Sequence, residues 1–149
     1  MRVDSLQFHL HTGWTKPFPE LDSPQTLVLV FGASAFADRP EPLEQLVRYY
    51  PQSHVIGCST SGEIFGEDVF DDSMSVAVVR FSHTRVRSAS ARITEAAGSH
   101  VAGRQIGSAL AAADLKGVLV LSDGLALNGT LFSAGLSSVL GPHVPVTGG

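Results

Sequence analysis

Apolar residues in this chain gather in short runs, and the spacing within each run predicts its element. Thr26-Leu27-Val28-Leu29-Val30-Phe31 is unbroken and aliphatic, which predicts a strand buried on both faces. After Pro40-Glu41-Pro42, the residues Leu43, Leu46, Val47 and Tyr50 recur at helical spacing, and Pro51 closes the helix. His54-Val55-Ile56-Gly57-Cys58 predicts a second buried strand, which completes a β-α-β unit with parallel strands. Further on, Met74–Phe81 and Val86–Thr94 are extended stretches joined by Ser82-His83-Thr84-Arg85. The second alternates in character, so the two predict an antiparallel hairpin.

Ala102, Ile106, Ala109, Leu110 and Ala113 predict a second helix, on which Gly103 and Gly107 would allow close approach to a sheet. Gly117-Val118-Leu119-Val120-Leu121 predicts another buried strand. Asn128 is placed to cap a third helix carrying Leu131, Phe132, Gly135, Leu136, Val139 and Leu140. Gly141-Pro142 ends it, and Val144-Pro145-Val146-Thr147 opens a last strand. The predicted order is β-α-β-ββ-α-β-α-β. This is an α/β fold with a mixed, mostly parallel sheet, flanking helices and an antiparallel hairpin insertion. Residues 1–26, with Trp14, Pro17, Pro19 and Pro24 among polar neighbours, read as an irregular N-terminal arm before a domain over 27–149. The chain stops at Thr147-Gly148-Gly149, where earlier parallel strands pass into a loop or helix, so the expectation is a domain truncated at its C-terminal end.

Composition narrows the partners. A length of 149 residues fits one domain with its own core. Charged residues make up only 16% against an ordinary share of about 25%, which excludes a disordered chain and points to surface that something else covers. A net charge of −4 without a basic cluster argues against nucleic acid. No apolar run approaches the roughly 20 residues of a membrane span, and the N-terminus lacks a signal-peptide core. The single cysteine, Cys58, fits a reducing compartment, so the expectation is a cytoplasmic protein with no membrane contact.

In open α/β sheets, ligands bind beyond the carboxyl ends of the strands. Those ends fall at Gly32-Ala33-Ser34, Gly57–Glu63, Ser122–Asn128 and Thr147–Gly149, all rich in small and hydrogen-bonding residues. The candidate ligand-binding residues are therefore Cys58, Ser59, Thr60, Gly62, Glu63, Ser122, Asp123, Gly124, Asn128 and Gly148. Each loop taken alone is equally well read as ordinary turn chemistry. Ser59, Asp123 and His143 stand in the chain order of a hydrolase triad. However, Ser61 replaces the second glycine of the nucleophile elbow, and His143 precedes its strand. The acidic run Glu63, Glu67, Asp68, Asp71 and Asp72 matches no calcium loop, and no phosphate-binding glycine loop follows a strand.

Taken together, Val55-Ile56-Gly57-Cys58-Ser59-Thr60-Ser61-Gly62-Glu63-Ile64, Leu119-Val120-Leu121-Ser122-Asp123-Gly124 and Val144-Pro145-Val146-Thr147-Gly148-Gly149 resemble the FIST N-terminal sensory domain. The resemblance extends from Leu27 to Gly149, and its most specific piece is the Gly57–Glu63 loop. It implies a ligand-sensing domain of prokaryotic signal transduction, working with a histidine kinase or a cyclic-dinucleotide enzyme. Small ligands such as amino acids are proposed for the family, and a C-terminal FIST domain is expected in the full-length protein. Leu21-Asp22-Ser23-Pro24-Gln25-Thr26 looks like the stand-alone members, some of which are haem proteins that respond to nitric oxide. Haem would need an axial residue, and the six histidines at 9, 11, 54, 83, 100 and 143 leave that choice open. The leading expectation is a non-enzymatic sensor module. A hydrolase using Ser59 or Cys58 as nucleophile is the alternative, and an interaction scaffold without a ligand is the third.

Overall fold

The computed structural model describes residues 1–149, divided into two units, Met1–Val86 and Arg87–Gly149. In the first unit, five strands form one sheet: β1 (Arg2–His9), β2 (Gly13–Trp14), β3 (Thr26–Ala33), β4 (His54–Thr60) and β7 (Ser73–Arg80). Their spatial order is β2-β1-β7-β3-β4. A short hairpin, β5 (Glu63–Phe65) with β6 (Asp68–Phe70), links β4 to β7. Helix α1 (Glu41–Tyr49) connects β3 to β4, with Glu41 and Glu44 in its first turn and Arg48 in its last, each favourable to the helix dipole.

The fold class is α/β with a mixed sheet, as expected, but the sheet is mostly antiparallel. Only β3 and β4 run parallel; β7 pairs antiparallel with both β1 and β3. The reversal arises because the chain turns back through the β5–β6 hairpin before entering the sheet. The predicted hairpin of 74–81 with 86–94 does not form, since the second stretch pairs with no strand. Its alternation is nevertheless meaningful: Ala91 and Ile93 pack on the core of the second unit while their neighbours face solvent.

The N-terminal segment is also not an irregular arm. Arg2–His9 is a full strand in register with β7, with Leu6 opposite Val76 and Phe8 opposite Met74. The following residues are tied down as well: Tyr50 donates its hydroxyl to the Pro19 carbonyl at 2.9 Å, and Asp22 accepts from the Ser53 hydroxyl at 2.6 Å.

Register explains the core. Cross-strand neighbours share a face, so Leu6, Val76 and Val30 form one row, Val78, Val28 and Val55 the next, and Phe8, Met74, Gly32 and Ser59 a third. Against these rows pack Leu46 of α1, Tyr50, Phe36 and Leu21.

The second unit holds α2 (Ser99–Leu110), α3 (Gly129–Leu140) and a parallel pair, β8 (Val118–Val120) with β9 (Val146–Gly148). The close approach predicted for α2 is made to α3, not to a sheet. A Cβ on Gly103 would lie 2.2 Å from the Phe132 carbonyl oxygen, and one on Gly135 would lie 2.1 Å from that of His100. The helices thus touch backbone to backbone. Ala102, Phe132 and Leu136 are buried between them. No helix is long and apolar enough to cross a membrane.

Candidate functional site

The parallel pair β3–β4 ends at Ala33 and Thr60, which face each other in register. Beside these ends, within the first unit, a cleft of about 590 Å³ opens between α1 and β4. Leu43, Val47 and Tyr50 line its helix side, Phe36 and Ser34 its end, and Val30 and Met74 its floor. Consecutive residues Val55 to Ser59 line the remaining wall. Because strand residues alternate between faces, lining by both parities means that the cleft reaches the outer edge of β4. Leu43 and Val47, on one helix face, are 37% and 46% exposed. The lining includes no charged side chain and no histidine.

Of the predicted residues, Cys58 and Ser59 lie at this cleft. Ser59 shares the row of Gly32 and Met74 on the α1 face, so the alternation turns the Cys58 thiol to the opposite face. Gly57 between Ile56 and Cys58 is required by packing, since a Cβ there would fall 2.3 Å from the Val30 carbonyl oxygen.

Thr60, Gly62 and Glu63 serve the walls of the site rather than its space. Glu63 is 1% exposed, and both its carboxylate oxygens are occupied. Oε1 accepts from the Thr60 hydroxyl at 2.7 Å, while Oε2 accepts from the Ser73 backbone N–H at 3.2 Å and its hydroxyl at 2.9 Å. Gln7 in turn donates to the Ser73 hydroxyl at 3.3 Å. This buried network fastens the end of β4 to the start of β7 and to β1. Gly62 makes the turn between β4 and β5 beneath Val69.

The remaining candidates, Ser122, Asp123, Gly124, Asn128 and Gly148, belong to the second unit. There they do structural work at the carboxyl ends of β8 and β9. Asp123 Oδ1 accepts from the backbone N–H groups of Leu125 at 2.7 Å and Ala126 at 3.0 Å, and these bonds hold its carboxyl below the usual carboxylate range. Asn128 caps α3 by accepting from the Leu131 N–H at 3.0 Å, as its position predicts. Ser122 donates its N–H to the Gly149 carbonyl. Gly148 has a φ of 125° and lies where a Cβ would meet the Val120 carbonyl oxygen at 1.9 Å. Gly124 sits in the exposed Asp123 turn. His143 precedes β9, at the end of the strand pair opposite Asp123, so these two members of the triad order are not partners.

Sequence reasoning did not single out Phe36, Leu43, Val47, Tyr50, Val55 and Met74 as site residues. Leu43 and Val47 carried no distinguishing signal, because with Leu46 and Tyr50 they make the single apolar stripe of an ordinary helix. Burial pushes the Tyr50 phenol up from its ordinary value, and its hydroxyl is already committed to Pro19. No group of three or more His, Cys, Asp or Glu side chains is arranged to hold a metal ion.

A family model described as the FIST N domain matches residues 26–149. No curated protein and no solved structure matches the chain.

Proposed function

The chain belongs to the FIST N domain family, whose members are signal-transduction sensory domains, and on that footing we propose that the α1–β4 cleft binds a small, uncharged, largely apolar molecule. The observation that carries this reading is the cleft itself. Its volume of about 590 Å³ falls in the range of ligand pockets, and it runs along β4 from Pro51 to Ser59, reaching the carboxyl end of the parallel strand pair at Ala33 and Ser34. Ser34 and Ser59 supply hydrogen-bonding groups around an apolar lining. A zwitterionic amino acid would leave its charges unpaired there, at a cost of several kcal/mol (about 2–7 for even a neutral polar group). The ligand therefore differs in class from the amino acids that the family resemblance suggests.

Haem fits this lining poorly. Met74 packs in the core, Tyr50 donates to Pro19, the Cys58 thiol is turned to the other face, and no cation stands ready for the propionates. Ligand occupancy would be passed to a partner signalling protein in the cytoplasm, a histidine kinase or a cyclic-dinucleotide enzyme, by the family resemblance. The hydrolase alternative has less support, because Glu63 is committed to Thr60 and Ser73 and Asp123 to its own turn.

A melting-temperature screen against uncharged small molecules tests the reading. A binder stabilises by RT ln(1 + [L]/Kd), and Val47→Glu, which puts a charge on the cleft rim without touching the core, should abolish that gain. A stabilising ligand unaffected by Val47→Glu would place binding elsewhere and end the proposal.

A further inference from the structure

Helix α1 borders two clefts. Leu43 and Val47 line the uncharged one, while Gln45, Arg48 and Tyr49, on the opposite side of the helix, line another of about 730 Å³. The facing wall comes from β2 and the residues after it, with Trp14, Lys16 and Phe18, so the whole lining of this second cleft belongs to the first unit. Its chemistry differs from that of the first. Trp14 and Phe18 have ring centroids 4.8 Å apart at 73°, and Phe18 and Tyr49 stand 4.9 Å apart at 52°. Two hydrogen bonds hold the rings in place, from Trp14 Nε1 to Gln45 Oε1 at 2.9 Å and from the Tyr49 hydroxyl to the Phe18 carbonyl at 3.3 Å. Lys16 and Arg48 are in the lining, and no carboxylate is.

The two cations retain binding capacity. The Arg48 side chain is 72% exposed, and its ion-pair partner Glu44, one turn back on α1, lies at 3.6 Å, too far for a hydrogen bond. An exposed pair of this kind is weak, which leaves the guanidinium fork open to a carboxylate that can meet it squarely. Lys16 donates to Asp4, and an ammonium group has two further N–H bonds to give. We propose that the cleft between β2 and α1 binds an aromatic carboxylate, its ring against Trp14, Phe18 and Tyr49 and its carboxylate on Arg48 with Lys16 beside it. A cationic ligand would be repelled by both basic side chains, and an aliphatic acid would forfeit the contacts that an edge-to-face array of rings offers to another ring. This site is separate from the α1–β4 cleft, and the proposal does not depend on what that cleft binds.

Trp14 is the only tryptophan of the chain and lines this cleft and not the other, so its indole N–H is a single, site-specific signal in a nitrogen–proton correlation spectrum. The test titrates the full chain with cinnamate and, separately, with its neutral isostere cinnamamide. The expected result is a saturable shift of the indole signal with cinnamate while the backbone amides of Gly57–Ser59 stay unmoved. Cinnamamide should bind about tenfold more weakly, and Arg48→Gln should weaken cinnamate by a similar factor, because each removes one side of a charge-assisted pair. A loss of less than about threefold in either comparison would overturn the proposal. So would an indole signal that does not move at millimolar cinnamate, or one that stays still while Gly57–Ser59 shift, which would put the probe in the α1–β4 cleft.

Discussion

The two units reach order by different means. In Met1–Val86, ten buried residues from strands, helix and connecting turns form one core, and a cleft opens at its margin. In Arg87–Gly149, the core consists of Ala102, Phe132 and Leu136 with partly buried neighbours, and two helices meet through glycines. The comparison shows where strand-end loops border open space and where they become scaffolding. Both units have Gly/Ser/Asp-rich loops at the ends of parallel strands. Around Cys58 and Ser59 the loop borders open apolar space, whereas around Asp123 and Asn128 the polar groups are consumed by a turn and a helix cap.

Core truncations should separate the units most strongly. Leu46→Ala, in the larger core, should cost about 4 kcal/mol, while Leu136→Ala in the smaller one should cost about 2 kcal/mol. Denaturant unfolding measures both, and equal losses would erase the distinction. Next in size is Glu63→Ala, which strands the Thr60 hydroxyl and both Ser73 donors, for about 3 kcal/mol, with faster exchange in β4 and β7 as its signature. A loss below about 1 kcal/mol would mean that the network does not hold the cleft wall.

In the second unit, Gly135→Ala forces a methyl against the His100 carbonyl and should cost about 1–3 kcal/mol, with the nuclear Overhauser contacts between α2 and α3 weakened. The smallest effect belongs to Asp123. Its carboxyl is held below the ordinary value of 3.8, so the turn's extra stability is complete above that value and is lost as pH falls through the lowered folded-state value. The amide shifts of Leu125 and Ala126 should titrate together with a midpoint below 3.8, and a midpoint at or above it would show that the turn bonds are absent.

Much of this was legible in the chain because the signals were local. The unbroken run from Thr26, the prolines around α1, and Asn128 before its apolar stripe all produced the elements they predict. Arg2–His9 was not legible, because Asp4 and Gln7 interrupt its apolar residues and its partner β7 lies far along the chain. That strand also precedes the family match at residues 26–149, yet it supplies Leu6 to the core. The direction of β7 was hidden for a related reason: a buried run reads alike in parallel and antiparallel pairs. Loop chemistry singled out Cys58 and Ser59, which line the α1–β4 cleft. The α1 wall was missed because Leu43 and Val47 resemble ordinary helix core until their exposure is known.

The central claim is that the site lies between α1 and β4, and nuclear magnetic resonance shift mapping of the full chain against a library of uncharged small molecules tests it most directly. The predicted result is perturbation concentrated at Ala33–Ser34, Val47 and Gly57–Ser59, with the amides of residues 122–128 unmoved. Perturbation centred on residues 122–128, with the α1–β4 cleft silent, would contradict it.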